Sequence, residues 1–105
     1  MAQFDFYANP HPTSRQFVPY LLDVQSALID PLDTRLVMPL SRVGVQQARL
    51  PINLCPVLEV AGEPLVLMPH LAAPVHVRQL KTPAGSLAHC AADILAAMDA
   101  VLSGF

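Results

Sequence analysis

Apolar and polar residues alternate along most of the chain with the period of an extended strand, and the period lengthens to that of a helix only after Ser86. In QFDFY, Phe4 and Phe6 fall on one face and Asp5 on the other, which predicts a first strand. NPHPTSR then gathers two prolines, an asparagine and two hydroxyl residues, a turn or exposed loop. FVPYLLDVQ resumes as a strand with Leu22 and Val24 on one face and Asp23 and Gln25 on the other, and Pro19 places its start at a sheet edge or bulge. DPLDT is a turn, and RLVMPL a short strand in which Pro39 removes a ladder donor. SRVGVQQARLP carries no clean period and is expected to cross the surface. NLCPVLEV and LVLM flank Ala61, Gly62, Glu63 and Pro64, which predicts a hairpin. PVHVRQL adds a strand with Val75 and Val77 inward and His76 and Arg78 outward.

From Ser86 onward, Leu87, Ala91, Ile94, Leu95, Met98, Val101, Leu102 and Phe105 follow spacings of three and four, one stripe of a helix with Ser86 as its N-cap and Gly104 as its stop. Alanines at 88, 92, 96, 97 and 100 leave little bulk, so this helix can lie close to a sheet or to a copy of itself. His89, Asp93 and Asp99 fall on its wetter side. Asp99 has no cation at helical spacing and stands toward the negative end of the helix dipole, a misplaced charge that is either structural noise or a contact for a partner. Short, proline-punctuated strands followed by one terminal helix predict a mainly β, small antiparallel barrel or roll closed by that helix. The length sets a single domain over residues 1–105.

Composition adds an expectation about assembly. Hydrophobic residues make up 53% of the chain and charged residues 13%, about half the ~25% usual in a soluble domain. Such a surface is expected to be covered in part by another chain, most simply as a twofold homodimer. The net charge is −2, and the six Lys and Arg are scattered, which argues against a direct grip on nucleic acid. MAQFDFYANPHP lacks the basic start of a signal peptide, and prolines and histidines break PLVLMPHLAAPVHV well short of a bilayer span. A cytoplasmic protein with no membrane partner is expected, its Cys55 and Cys90 reduced, buried and not joined in a disulfide.

Little in the chain suggests chemistry. His11, His70, His76 and His89 form neither H-x-x-H nor H-E-x-x-H, so no metal is expected. G-x-S-x-G, Walker-type loops and C-x-x-C are absent, the four glycines are dispersed, and no cofactor is expected. Ser14, Arg15 and Arg35 could form an acid-base and phosphate-binding set on a barrel surface, although no basic groove accompanies them.

Several segments, in order and over nearly the whole length, resemble the CcdB toxin family of toxin-antitoxin modules: QFDFY, LLDVQS followed by LID, RLVMPL, CPVLEVAGEPLVLM and the terminal helix ending in SGF. DVQS with VMPL shortly downstream is the most specific of them. The resemblance implies an SH3-like barrel with a main antiparallel sheet, a small second sheet and a C-terminal helix, paired as a homodimer. It implies a non-enzymatic poison that wedges between the two A subunits of DNA gyrase while the DNA is cleaved, neutralised by a CcdA-like antitoxin that folds across an overlapping surface. By the same resemblance, Ser103, Gly104 and Phe105 are the gyrase-binding tip, and Met98, Val101 and Leu102 with Phe105 stand at the dimer interface. Gln25, Ser26, Leu28, Ile29 and Asp99 would meet the antitoxin. Ser103 departs from the family pattern, where the best-known toxins carry a tryptophan, and Phe105 replaces an aliphatic residue. The alternative class is a MazF-type endoribonuclease toxin on the same barrel, using Arg15 and Arg35, and a third reading is a non-toxic CcdB-like binding protein.

Overall fold

Residues 2–26, 32–42 and 54–103 are described by the structure, a computed structural model. The first strand, β1 (Asp5–Ala8), starts one residue later than Phe4 would have it. Phe4 lies in the left-handed backbone region at φ 74°, a costly conformation for a bulky side chain. Two hydrogen bonds hold it there: its N–H donates to the Asp23 carbonyl at 2.6 Å, and its carbonyl accepts from the Leu87 N–H at 2.7 Å. The bend keeps the Phe4 ring on the same side as Phe6, and both are buried.

β2 (Tyr20–Asp23) begins directly after Pro19 and runs antiparallel to β1, with Phe6 opposite Leu22 and Tyr7 opposite Leu21. β3 (Thr34–Ser41) is the longest strand and pairs with β2 so that Leu22 faces Met38 and Asp23 faces Val37. β4 (Val57–Val60) and β5 (Glu63–Leu67) make the expected hairpin, tighter than the sequence suggests. Its turn is Ala61 and Gly62 alone, at φ 52° and 81°, the two positive angles that a two-residue hairpin turn of the right twist requires. Pro64 is therefore already in β5.

β6 (Ala73–His76) follows a 3-10 turn at Pro69–Leu71. β5 and β6 divide one edge of β3, β5 taking Leu40 and Ser41 and β6 taking Thr34 to Val37. The strand order is β4-β5-β3-β2-β1-β7, with β7 (Gly85–Ser86) at the end and β6 branching from β3, so the expected small second sheet takes the form of this branch. Val75 and Val77 are half-buried and His76 and Arg78 exposed, as alternation predicts, although Val77 already belongs to a second 3-10 turn, Val77–Gln79. SRVGVQQARLP lies outside the described residues beyond Ser41 and Arg42.

One face of the sheet carries Phe6, Leu22, Met38, Leu40, Leu58, Leu65 and Leu67, and the helix α1 (Ala91–Ser103) covers it with Ile94 and Ala97. Full burial of each large aliphatic side chain contributes about 1.5–3 kcal/mol. Ala97 is completely buried, and its small side chain lets α1 approach the strands closely. The opposite face holds a second cluster of Tyr7, Leu21, Val37 and Leu80, flanked by Val18 and Val75. Ser86 does not cap α1. It ends β7, and its Oγ accepts from the Ala88 N–H at 3.2 Å, opening a 3-10 turn over Ala88–Cys90 that leads into the helix.

Gly85 marks the closest approach within this core. A Cβ there would stand 2.6 Å from Cζ of Phe6 and 2.7 Å from its Cε1, and the Phe6 ring is itself held edge-on to Tyr20 at 5.1 Å between centroids. Gly85→Ala is expected to destabilise the fold by about 1–3 kcal/mol, read as a lowered midpoint in urea unfolding.

Candidate functional site

A polar network sits where a surface strand would have solvent. Asp23 is completely buried on the second face of the sheet, and Arg35, 1% exposed, donates from Nε to its Oδ2 at 2.8 Å. Asp23 Oδ1 accepts from the Gln25 N–H at 2.9 Å, and Gln25, 4% exposed, accepts at Oε1 from the Leu36 N–H at 2.9 Å. Arg35 also reaches the Gln25 carbonyl at 3.4 Å. These bonds pin Gln25 to the start of β3; Leu28 and Ile29 lie outside the described residues. The Tyr7 hydroxyl is buried beside this network with no hydrogen-bond partner, and burial, then the charges of Asp5 and Asp23, raise its pKa above the ordinary phenol value.

The burial of Arg35 corrects the expectation that Ser14, Arg15 and Arg35 share a barrel surface. Arg15 is exposed, but Arg35 is spent inside on Asp23, so the set is not assembled.

The second region is α1. Its apolar stripe, read as one face, is divided in two. Ile94 and Ala97 are buried and Met98 half-buried against the core, whereas Leu95 is 52% and Leu102 78% exposed, with Val101 exposed between them. Leu71, also exposed, belongs to the 3-10 turn that packs beside α1. Asp99 is exposed and its carbonyl accepts from the Ser103 Oγ at 2.6 Å, the back-bond a helical serine makes to the carbonyl four residues earlier. Gly104 and Phe105 lie outside the described residues.

The remaining reactive groups are quiet. Cys55 is buried and Cys90 half-buried, neither is in a disulfide, and burial raises both thiols, which leaves them less prone to ionise. His70 Nδ1 stands 3.9 Å from the Cys55 Sγ, and His76 Nδ1 accepts from the Arg78 N–H. Among the described residues no three His, Cys, Asp or Glu stand together as a metal site, and no helix is long and apolar enough to cross a membrane. Arg42 pairs with Glu63 through two nitrogens and holds its carboxyl below the usual range, an exposed pair of small energetic weight.

Compared with known families, residues 3–104 match the family model described as CcdB protein. The chain belongs to the CcdB family. No curated protein is matched by the sequence. The CcdB family consists of toxins of toxin-antitoxin modules that act on DNA gyrase, and the fold described above, a curled antiparallel sheet with one C-terminal helix, is consistent with membership.

Sequence reasoning placed Asp23 and Gln25 on a common face without seeing that this face is covered. The signal available was Arg35 at the start of the next strand, two positions from the residue opposite Asp23. Removing one charge of a buried pair leaves the other uncompensated. Asp23→Asn is expected to cost about 3–5 kcal/mol, while the double change Asp23→Leu with Arg35→Met recovers most of that loss. Guanidinium unfolding of the two variants checks the difference.

Proposed function

We propose that this CcdB-family chain is the toxin of a toxin-antitoxin module, and that as a homodimer it poisons DNA gyrase by inserting its two helix tips between the A subunits. The observation that carries this reading is the exposure of Leu95, Val101 and Leu102 on α1, ahead in the sequence of Ser103, Gly104 and Phe105. Single exposed apolar residues are common, but a row of them along one helix in a chain with 13% charged residues favours a covered surface. Two such helices meeting about a twofold axis, with Met98, Val101, Leu102 and Phe105 between them, would bring both tips to one place. A target that is itself twofold would be met on its axis.

Ser103 stands in the position where the best-known toxins have tryptophan. A tryptophan hot spot is commonly worth about 2–4 kcal/mol, and the serine hydroxyl is already turned back to Asp99. Phe105 would then supply the aromatic surface. Neutralisation follows from an antitoxin segment laid over Ser26, Leu28 and Ile29 and reaching Asp99. Gln25 contributes by fixing the position of Ser26, because its own side chain is engaged within the chain. Arg35, one of the two cations a ribonuclease would use, is buried against an acid and does not reach the surface. The non-toxic binding protein is an outcome of the test below.

Leu102→Asp is expected to convert the dimer to a monomer by sedimentation velocity without loss of the far-ultraviolet helix signal. In calorimetric titration against a gyrase A fragment, Ser103→Trp is expected to tighten binding about 30-fold or more. Deletion of Gly104 and Phe105 is expected to abolish it with the dimer intact. Unchanged affinity after the deletion would discard the tip, and no growth arrest on expression in cells with wild-type gyrase would leave the non-toxic binding protein.

A further inference from the structure

We infer that a pocket at the open end of β1 binds a doubly charged phosphate group, free or as a monoester. The outer edge of β1 is covered by β7 only at Asp5 and Phe6, and the last cross-link is the Ala84 N–H to the Phe6 carbonyl. Asn9 donates toward β2, to the Pro19 carbonyl, so the alternation of an antiparallel ladder turns the Ala8 N–H to the uncovered side. The chain returning from the Val77–Gln79 turn toward β7 runs past this edge. Between them is a pocket of ≈ 240 Å³ lined by Ala8, Asn9, Arg15, Gln79, Lys81 and Thr82, with no carboxylate in its walls. That is about eight times the ~30 Å³ of a water molecule, so a phosphate leaves room for an organic remainder.

Charge decides the ligand. Arg35 is spent on Asp23 and Arg42 on Glu63, whereas Arg15 and Lys81 form no ion pair among the described residues. Arg15 is also held in place before any ligand arrives. Its Nε donates to the Asn9 carbonyl at 2.8 Å, and its two terminal nitrogens donate to no described residue. Asn9, 2% exposed, anchors the loop beneath it by donating from Nδ2 to Ser14 Oγ at 3.0 Å and the Val18 carbonyl at 2.8 Å. Its Oδ1 accepts from the His11 N–H at 3.0 Å. A guanidinium fork fixed in this way loses little freedom when it closes on an oxyanion. Two cations, a hydroxyl, an amide and a strand-edge N–H match a dianion with several acceptor oxygens better than a singly charged carboxylate or diester. The depression on the other side of Arg15 is shared with Arg42, already neutralised by Glu63, and offers one uncompensated charge. This is a side-chain site at a strand end, of a kind that a search for glycine-rich loops passes over, and it is independent of the gyrase reading.

The test is a titration of the full-length, nitrogen-15-labelled protein with inorganic phosphate at pH 8 and constant ionic strength, followed by amide shifts. Saturable shifts centred on Ala8, Asn9, Lys81 and Thr82 are expected, with methyl phosphate reproducing them and singly charged dimethyl phosphate binding at least tenfold more weakly. Lys81→Ala, an exposed change that breaks no hydrogen bond, is expected to weaken binding at least tenfold, while Arg78→Ala, an exposed cation outside the pocket, leaves it unchanged. Shifts that grow linearly without saturation, an equal loss in Arg78→Ala, or equal binding of dimethyl phosphate would overturn the assignment. Binding of phosphate without methyl phosphate would restrict the site to the free ion and overturn the monoester.

Discussion

A guanidinium can be buried only where a carboxylate meets it, and Arg35 has that partner in Asp23 on the neighbouring strand. This requirement fixes more than one bond. The two residues are diagonal neighbours on one face, since Asp23 stands opposite Val37, two positions from Arg35. A slip of one residue between β2 and β3 would turn Arg35 to the other face and carry Leu22 or Met38 out of the main core. Apolar contacts alone define such a register less sharply, because a leucine displaced by two positions still finds leucines. The pair thereby sets β3, and β3 in turn carries β2 along one edge and β5 and β6 along the other.

The same pair explains how a sheet this apolar can be thick on both sides. Its first face is closed by α1, and its second by Val75 of β6 together with Val18 and Leu80, which come from connecting segments rather than from another sheet or helix. Connections can cover a buried salt bridge only if their own backbone is satisfied. Asn9 does this for the segment between β1 and β2, and the Leu80 N–H is satisfied by the Val77 carbonyl in the 3-10 turn. The loop that reads as a string of turn residues is therefore a fixed part of the structure, with the exposed Phe17 and Arg15 displayed on it.

Six strands, β1 to β6, and the helix were legible from the periods of their apolar residues, such as Met38 and Leu40 in β3, Leu58 and Val60 in β4, Leu65 and Leu67 in β5, and Ile94 and Met98 in α1. Periodicity reports which residues share a face and is silent on what lies over that face. For this reason Asp23, Gln25 and Arg35 read as exposed or as partner contacts, although they are interior. For the same reason Leu95 and Ile94 read as one stripe, although one meets solvent and the other the core. The left-handed Phe4 left no local signal, since nothing near it is glycine or asparagine, and the bend is imposed by hydrogen bonds to residues far along the chain. Ser86 is a sound cap for whatever follows it, and only the packing of Leu87 decides that a 3-10 turn comes before α1. Of Ser103, Gly104 and Phe105, Ser103 alone is among the described residues.

That exposed face and the buried network place opposite demands on substitution. In the network Asp23, Gln25 and Arg35 hold one another through hydrogen bonds, so a change there costs stability. On α1, Leu95 and Leu102 contribute little to the isolated fold, because about half or more of each remains in water. Apolar area left in water in this way would contribute about 25 cal/mol per Å² to any complex that covered it. Residues exposed in this way can change without unfolding the chain, and Ser103, exposed at the end of α1 with its hydroxyl turned back to the Asp99 carbonyl, leaves room for a larger side chain.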